Sequence, residues 1–250
     1  MTYCVGLLLN AGVVMLSDTR TNAGIDNIST YKKMYVFEDP GERAIVMLTA
    51  GSLSVTQTVM AKLRHRMEDP DASPDQCVMK APSMLAAAEI VGKTLNEVSV
   101  SIGGLMGSMN QSASATILLA GQRRGGQMRL FLVYPEGNFI EATADTPFLQ
   151  IGEHKYGKPI LDRVVTPETT LEDGRKAALL SMDSTLRSNL SVGMPLDLAV
   201  IPRDQHLVGY CERIEPGDPN FSAMSDAWSE ALKNSFVNLP EWRIQDEDQP

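Results

Sequence analysis

Residues 2 to 18 read Thr2-Tyr3-Cys4-Val5-Gly6-Leu7-Leu8-Leu9-Asn10-Ala11-Gly12-Val13-Val14-Met15-Leu16-Ser17-Asp18. Two β-prone runs, 3–9 and 13–17, flank a short Asn/Gly turn, so the stretch reads as a hairpin. Chain ends normally fray unless something ties them down. A strand that begins directly after Thr2 therefore marks that residue as held in place. A three-residue turn at 10–12 sets position 2 opposite 20 and position 4 opposite 18. Alternation then brings Thr2, Asp18 and Arg20 out on one face, and a slip of one residue would turn Asp18 to the other.

Further strand-like runs follow at Lys33–Glu38 and Ala44–Ala50, parted by the turn Asp39-Pro40-Gly41-Glu42. Ser54-Val55-Thr56-Gln57 has the capping-box pattern, and Val55, Val59, Leu63 and Met67 repeat at helical spacing. After a proline-containing loop, Met84, Ala88, Val91, Leu95, Val98 and Ile102 form a long apolar stripe that Gly103-Gly104 is expected to stop. Strands return at Ala113–Ala120, Met128–Tyr134, Asn138–Thr143 and Phe148–Ile151. A helix capped at Thr170–Asp173 carries Leu179, Met182, Leu186 and Leu190. Two strands, Asp197–Pro202 and Leu207–Ile214, lead to a last helix with Phe221, Met224, Trp228, Leu232 and Phe236. Strands outnumber helices and come in runs, which predicts an α+β protein with mainly antiparallel sheets. Two sheets face to face, with helix pairs on both outer faces, would bury these stripes. Residues 1–240 are expected to form one domain and 241–250 an acidic tail.

Composition excludes several classes. The chain has 250 residues, a net charge of −9 and 43% hydrophobic residues, so it has core enough for a domain and no basic surplus for a nucleic-acid backbone. No apolar run reaches the roughly 18 residues a membrane span needs. Cys4, Cys77 and Cys211 are too scattered for a disulfide framework or a zinc site, and His65, His154 and His206 have no metal-ligand spacing. No metal or cofactor is implied. The segment Gly121–Gly126 lacks the Lys-Ser/Thr of a phosphate-binding loop and reads as a hairpin tip. The start Met1-Thr2-Tyr3-Cys4 lacks signal-peptide features, and a cytoplasmic protein is expected. No G-x-S-x-G elbow is present for a serine triad.

Thr2 offers a different chemistry. Removal of Met1, usual before a small residue, would leave a free α-amine beside the threonine hydroxyl. Such an amine has a pKa of about 7.7–8.0, close to the optimum for a general base at neutral pH. One residue would then supply nucleophile and base together. Asp18, at the end of an apolar strand, needs a cationic partner. Lys32 and Lys33 are the candidates, and only one of two successive strand residues can face the site.

Thr2 with its strand, the block Ser17-Asp18-Thr19-Arg20-Thr21-Asn22-Ala23-Gly24, the pair Lys32-Lys33 and the run Thr49-Ala50-Gly51-Ser52 together resemble the proteasome-type β-subunit family. The Thr-to-Asp spacing agrees without a gap, and the segment from Gly24 to the second lysine is one residue shorter. Tyr31-Lys32-Lys33 and the acidic C-terminus are most similar to the bacterial Anbu (ancestral β-subunit) group, related to HslV. The resemblance implies the four-layer αββα sandwich of the N-terminal nucleophile hydrolases. It implies Thr2 as nucleophile and base, Asp18 and Lys33 as charge partners, and the Gly51 amide in the oxyanion hole. Thr21, Asn22, Tyr31, Thr49 and Leu53 would line the cleft where a peptide binds as an added strand. In two places the chain departs from the family. Gly152-Glu153-His154-Lys155 stands where the family has Gly-Ser-Gly-Ser. Ser188 and Ser191 stand where it has an Asp and a Ser supporting the amine, which leaves Ser191 as the matching residue.

The resemblance implies a threonine hydrolase of peptide or protein amides, working through an acyl-enzyme in a ring, lock-washer or helical homo-oligomer. An amidase on small or modified peptides and a weakly active or inactive assembling, peptide-binding subunit are the alternatives. No ATPase partner is implied. The Met-rich segment Leu105–Met109, Trp228 and Trp242 are candidate assembly contacts.

Overall fold

The computed structural model describes residues 2–22, 28–106 and 114–241. In chain order these form strands β1 (Tyr3–Leu9), β2 (Gly12–Asp18), β3 (Arg20–Asn22), β4 (Ile28–Thr30), β5 (Met34–Asp39) and β6 (Arg43–Gly51). Helices α1 (Leu53–Glu68) and α2 (Met84–Met106) follow, then β7 (Ala115–Arg123), β8 (Arg129–Val133), β9 (Phe139–Glu141) and β10 (Phe148–Gly152). Next come α3 (Lys158–Val164), α4 (Leu171–Ser188), β11 (Leu196–Pro202), β12 (Tyr210–Ile214) and α5 (Pro219–Val237). The chain divides into two compact units, residues 1–216 and 217–250.

In the first unit, one sheet has the order β10-β1-β2-β11-β12 and the other β5-β6-β7-β8-β9, each paired antiparallel throughout. Alternation along the strands sorts the apolar side chains. Cys4, Val13 and Met15 of the first sheet meet Val46, Leu48 and Leu118 of the second in a core between the sheets. Ile45, Met47, Leu119 and Phe131 point the other way and pack under Val59, Leu63, Val91 and Leu95 of α1 and α2. On the far face α4 packs over β1 and β2, with α3 beside it. The result is the expected αββα sandwich, with apolar side chains filling the space between its layers.

The register of the first hairpin differs from the expected one. Leu9 pairs with Gly12 and Cys4 with Ser17, around a two-residue turn of Asn10 and Ala11. Residue 18 thus stands opposite residue 3, one position out. Gly12 reads as a turn residue but belongs to the strand. Its φ is +147°, and a Cβ there would lie 2.2 Å from the Ile201 carbonyl oxygen of β11, so backbone conformation and close strand approach both demand the glycine.

Several other boundaries move. α1 begins at Leu53 with Ser52 as its N-cap, so Ser54 lies inside the first turn and the capping box does not form. α2 runs through Gly103 and Gly104, because a glycine costs a helix only about 1 kcal/mol. The Thr170 cap forms as expected, its side chain accepting from the Asp173 N–H at 3.1 Å. The β3–β4 hairpin and α3 carry no periodic apolar signal and escape the sequence reading. In the second unit, Asp218 caps α5 by accepting from the N–H groups of Asn220 and Phe221. Its expected core stripe is not buried: Phe221, Met224 and Trp228 are half-buried, and Leu232 and Phe236 are exposed. The side chains of the segment 105–109, Trp242 and residues 242–250 lie outside the described residues. No described helix is long and apolar enough to cross a membrane.

Candidate active site

Thr2 sits at the open end of the sandwich, 9% exposed, where β1 begins. Its carbonyl accepts the Glu153 N–H at 2.7 Å, and Tyr3 pairs with Gly152 of β10, so the strand is fastened from its first residue. Because residue 18 stands opposite residue 3, the Asp18 carboxylate takes the Tyr3 N–H at 3.1 Å. Its other oxygen takes the Gly193 N–H at 3.3 Å. Asp18 therefore reaches the backbone beside Thr2 instead of sharing its face, a correction that follows from the register.

Of the two lysines, Lys33 faces inward. Its Nζ lies 2.8 Å from Asp18 Oδ1 and 2.6 Å from the Arg20 carbonyl oxygen. Asp18 is 0% and Lys33 5% exposed. The Lys33 carbonyl accepts the Thr49 N–H at 3.0 Å, which ties its backbone to β6 while its side chain crosses to the other sheet. Burial holds the Asp18 carboxyl above the ordinary carboxylate range. The Lys33 ammonium and the Tyr3 and Gly193 N–H groups offset part of that rise.

A cleft of about 270 Å³ opens in front of Thr2. Of the residues expected there, Thr2, Lys33, Gly51, Thr21, Thr49 and Leu53 line it. Lys32, Ala50, Thr56 and Gly152 join them; both lysines reach the cleft, against the expectation that only one could, because residues 31–33 lie between β4 and β5 and do not alternate as a strand. Tyr31, exposed, donates its N–H to the Thr19 carbonyl and does not line the cleft. Asn22 ends β3, and its side chain lies outside the described residues. Ser191 follows α4, its N–H on Asn189 Oδ1, and is not among the cleft residues.

Tyr3 anchors the strand from below. Its hydroxyl is hydrogen-bonded to Ser181 of α4 and accepts from Gln150 Nε2 at 2.5 Å. Burial pushes its pKa up to about 12, with the two hydrogen bonds opposing. Cys4, two residues from Thr2, is fully buried, and burial raises its thiol far above the usual range. It therefore does not compete as a nucleophile. Among the described residues no cluster of His, Cys, Asp and Glu is suited to a metal ion.

An antiparallel double sheet between helix layers, with a threonine opening β1 beside a buried aspartate–lysine pair, defines a class of protein. A model of the proteasome subunit family matches residues 2–201, and the chain belongs to that family. Its likeness extends to solved structures of the Anbu (ancestral β-subunit) group. The Yersinia bercovieri Anbu is 44% identical with a TM-score of 0.90, over 97% of this chain and 99% of that one. The Gly-1 mutant of Anbu from Hyphomicrobium sp. strain MC1 is 46% identical with a TM-score of 0.91, over 98% and 100%. The Pseudomonas aeruginosa Anbu, described as a helical assembly, is 45% identical with a TM-score of 0.88, over 96% and 98%. No curated protein matches the chain.

Proposed function

We propose that the chain is an N-terminal threonine hydrolase that cleaves peptide or protein amide bonds, acting as a subunit of a self-assembling particle. The observation that carries this reading is the buried Lys33–Asp18 pair, 2.8 Å apart, set against the backbone that presents Thr2 to an open cleft. Once Met1 is removed, the Thr2 amine takes the hydroxyl proton as Oγ1 attacks the substrate carbonyl. The Lys33 ammonium lowers the cost of the developing alkoxide, and the Gly51 N–H steadies the tetrahedral oxyanion. The amine returns the proton to the leaving amine, and water then releases the acyl group from Thr2. Thr21, Thr49 and Leu53 flank the bound segment, and Tyr31 offers a contact beyond the cleft. Ser191, just beyond α4, is the residue that would support the amine from the loop 189–193.

The test is a peptide β-lactone, whose ring-opening acylation of Thr2 adds the whole probe mass. The wild-type chain lacking Met1 should gain one adduct, and Thr2→Ala should gain none while keeping its fold. An equal adduct on Thr2→Ala would sink the mechanism. A processed wild-type chain that never reacts leaves the non-enzymatic subunit in its place. Profiling peptide and acyl-amide libraries separates a peptidase from an amidase on small substrates.

Homo-oligomerisation draws its support from the helical assembly of the Pseudomonas aeruginosa Anbu. Light scattering should give a mass many times that of one chain, in a ring, lock-washer or helix. A monomer at micromolar concentration would overturn it.

A further inference from the structure

The Asp18 carboxylate already takes three donors, Lys33 and the N–H groups of Tyr3 and Gly193. It has little left to offer an ammonium group on Thr2. A charge formed at so buried a position needs an acceptor close by. A second acid, Glu153, is joined to Thr2 through the backbone. Glu153 donates its backbone N–H to the Thr2 carbonyl at 2.7 Å, and its side chain is only 13% exposed. That carboxylate accepts one hydrogen bond among the described residues, from Asn189 Nδ2 at 2.6 Å, and has Lys155 Nζ at 3.8 Å. A carboxylate has about four acceptor positions, so most of its capacity is open. Asn189 is itself oriented, because its Oδ1 accepts the Ser191 N–H at 2.9 Å. The loop 189–193 thus holds both acids: Asn189 holds Glu153 and the Gly193 N–H holds Asp18.

We propose that Glu153, anchored by Asn189, is the positioning residue for the Thr2 α-amine. This rests on the reading of Thr2 as nucleophile. The carboxylate orients the amine toward the hydroxyl and raises its basicity. The other charges around it are the Asp18–Lys33 pair, Lys32 on the cleft rim, Arg20 with Nη1 on the Leu190 carbonyl, and Lys155 and His154 of its own loop. Asp18 and Lys33 offset each other, and Lys155 is largely solvated.

Glu153→Gln keeps the shape and an acceptor for Asn189 but loses the charge. The measurement is the β-lactone adduct rate against pH on full chains shown by intact mass to lack Met1. An amine stripped of its anionic neighbour loses its proton more easily. The half-maximal pH should therefore fall by about one unit. The plateau rate should fall about tenfold, as amine basicity and orientation are lost. Asn189→Ala, which frees the carboxylate, should shift the profile the same way by less. A Glu153→Gln profile that overlays wild type, while Thr2→Ala stays inert, overturns this inference alone. Absence of any adduct on the processed wild-type chain overturns the reading beneath it.

Discussion

Lys33→Ala is expected to lower the free energy of unfolding by about 3–5 kcal/mol and to slow β-lactone acylation of Thr2 at least a hundredfold. Lys33 Nζ is the only cation paired with Asp18 among the described residues, and both groups are buried. Truncation leaves a carboxylate at 0% exposure with two N–H donors and no counter-charge. The pH dependence has a definite sign. Asp18 already titrates above its ordinary range, and loss of the ammonium moves it further up. A carboxyl whose folded pKa exceeds its unfolded value contributes stability below the unfolded pKa and loses it as pH rises through the folded one. The deficit of Lys33→Ala should therefore be greatest near pH 8 and shrink toward pH 5. Urea titrations of both proteins across that window check it. A variant as stable as wild type at pH 8 would show that the pair does not hold this end of the sandwich together.

Gly152→Ala should be nearly as disruptive through geometry alone. Gly152 has φ of +80°, and a Cβ there would lie 1.9 Å from the Thr2 carbonyl oxygen and 2.7 Å from its carbon. Neither atom belongs to a flexible side chain, so Thr2 must move and its hydrogen bond from Glu153 must stretch. Strain and overpacking together should cost about 2–4 kcal/mol. A displacement near 1 Å at the nucleophile should slow acylation about a hundredfold. Gly125→Ala separates the two causes, since Gly125 has φ of +70° with nothing within 4 Å of its added Cβ. That control should lose about 1–2 kcal/mol and no reactivity. Wild-type acylation by Gly152→Ala would mean that the Thr2 position does not control the reaction.

The legible part of the fold lay where apolar residues cluster in runs or stripes. β1, β2, β6 and β7 are nearly continuous apolar runs buried on both faces, and α1, α2 and α4 carry stripes at helical spacing, so their presence and order could be read from residue types. β3 and β4 are three-residue pieces with one apolar residue, Ile28, between them, and α3 spans seven residues with Leu161 its only buried one. Nothing in such short segments distinguishes them from loop. In the site, the strand opening at Tyr3, the carboxylate at Asp18 and the lysine pair were all visible in the chain. Glu153 and Asn189 were not, because their tie spans 36 positions and neither residue type implies it. Gly152-Glu153 stood out only as a departure from the family's Gly-Ser-Gly-Ser.

By itself the sequence determined that a strand starts behind Thr2, that Asp18 ends its partner, and that antiparallel sheets lie between helices. Those are statements about which face of a segment is apolar, and side-chain order alone carries them. Only the tertiary structure decided the register, with Gly12 admitting the backbone of β11 and residue 18 brought opposite Tyr3. It also decided that Lys33 crosses to Asp18 while Lys32 stays on the rim. Both outcomes depend on how closely neighbouring strands approach and on which side chain can reach a buried charge. Such distances arise between segments far apart in the chain and cannot be read within any one of them.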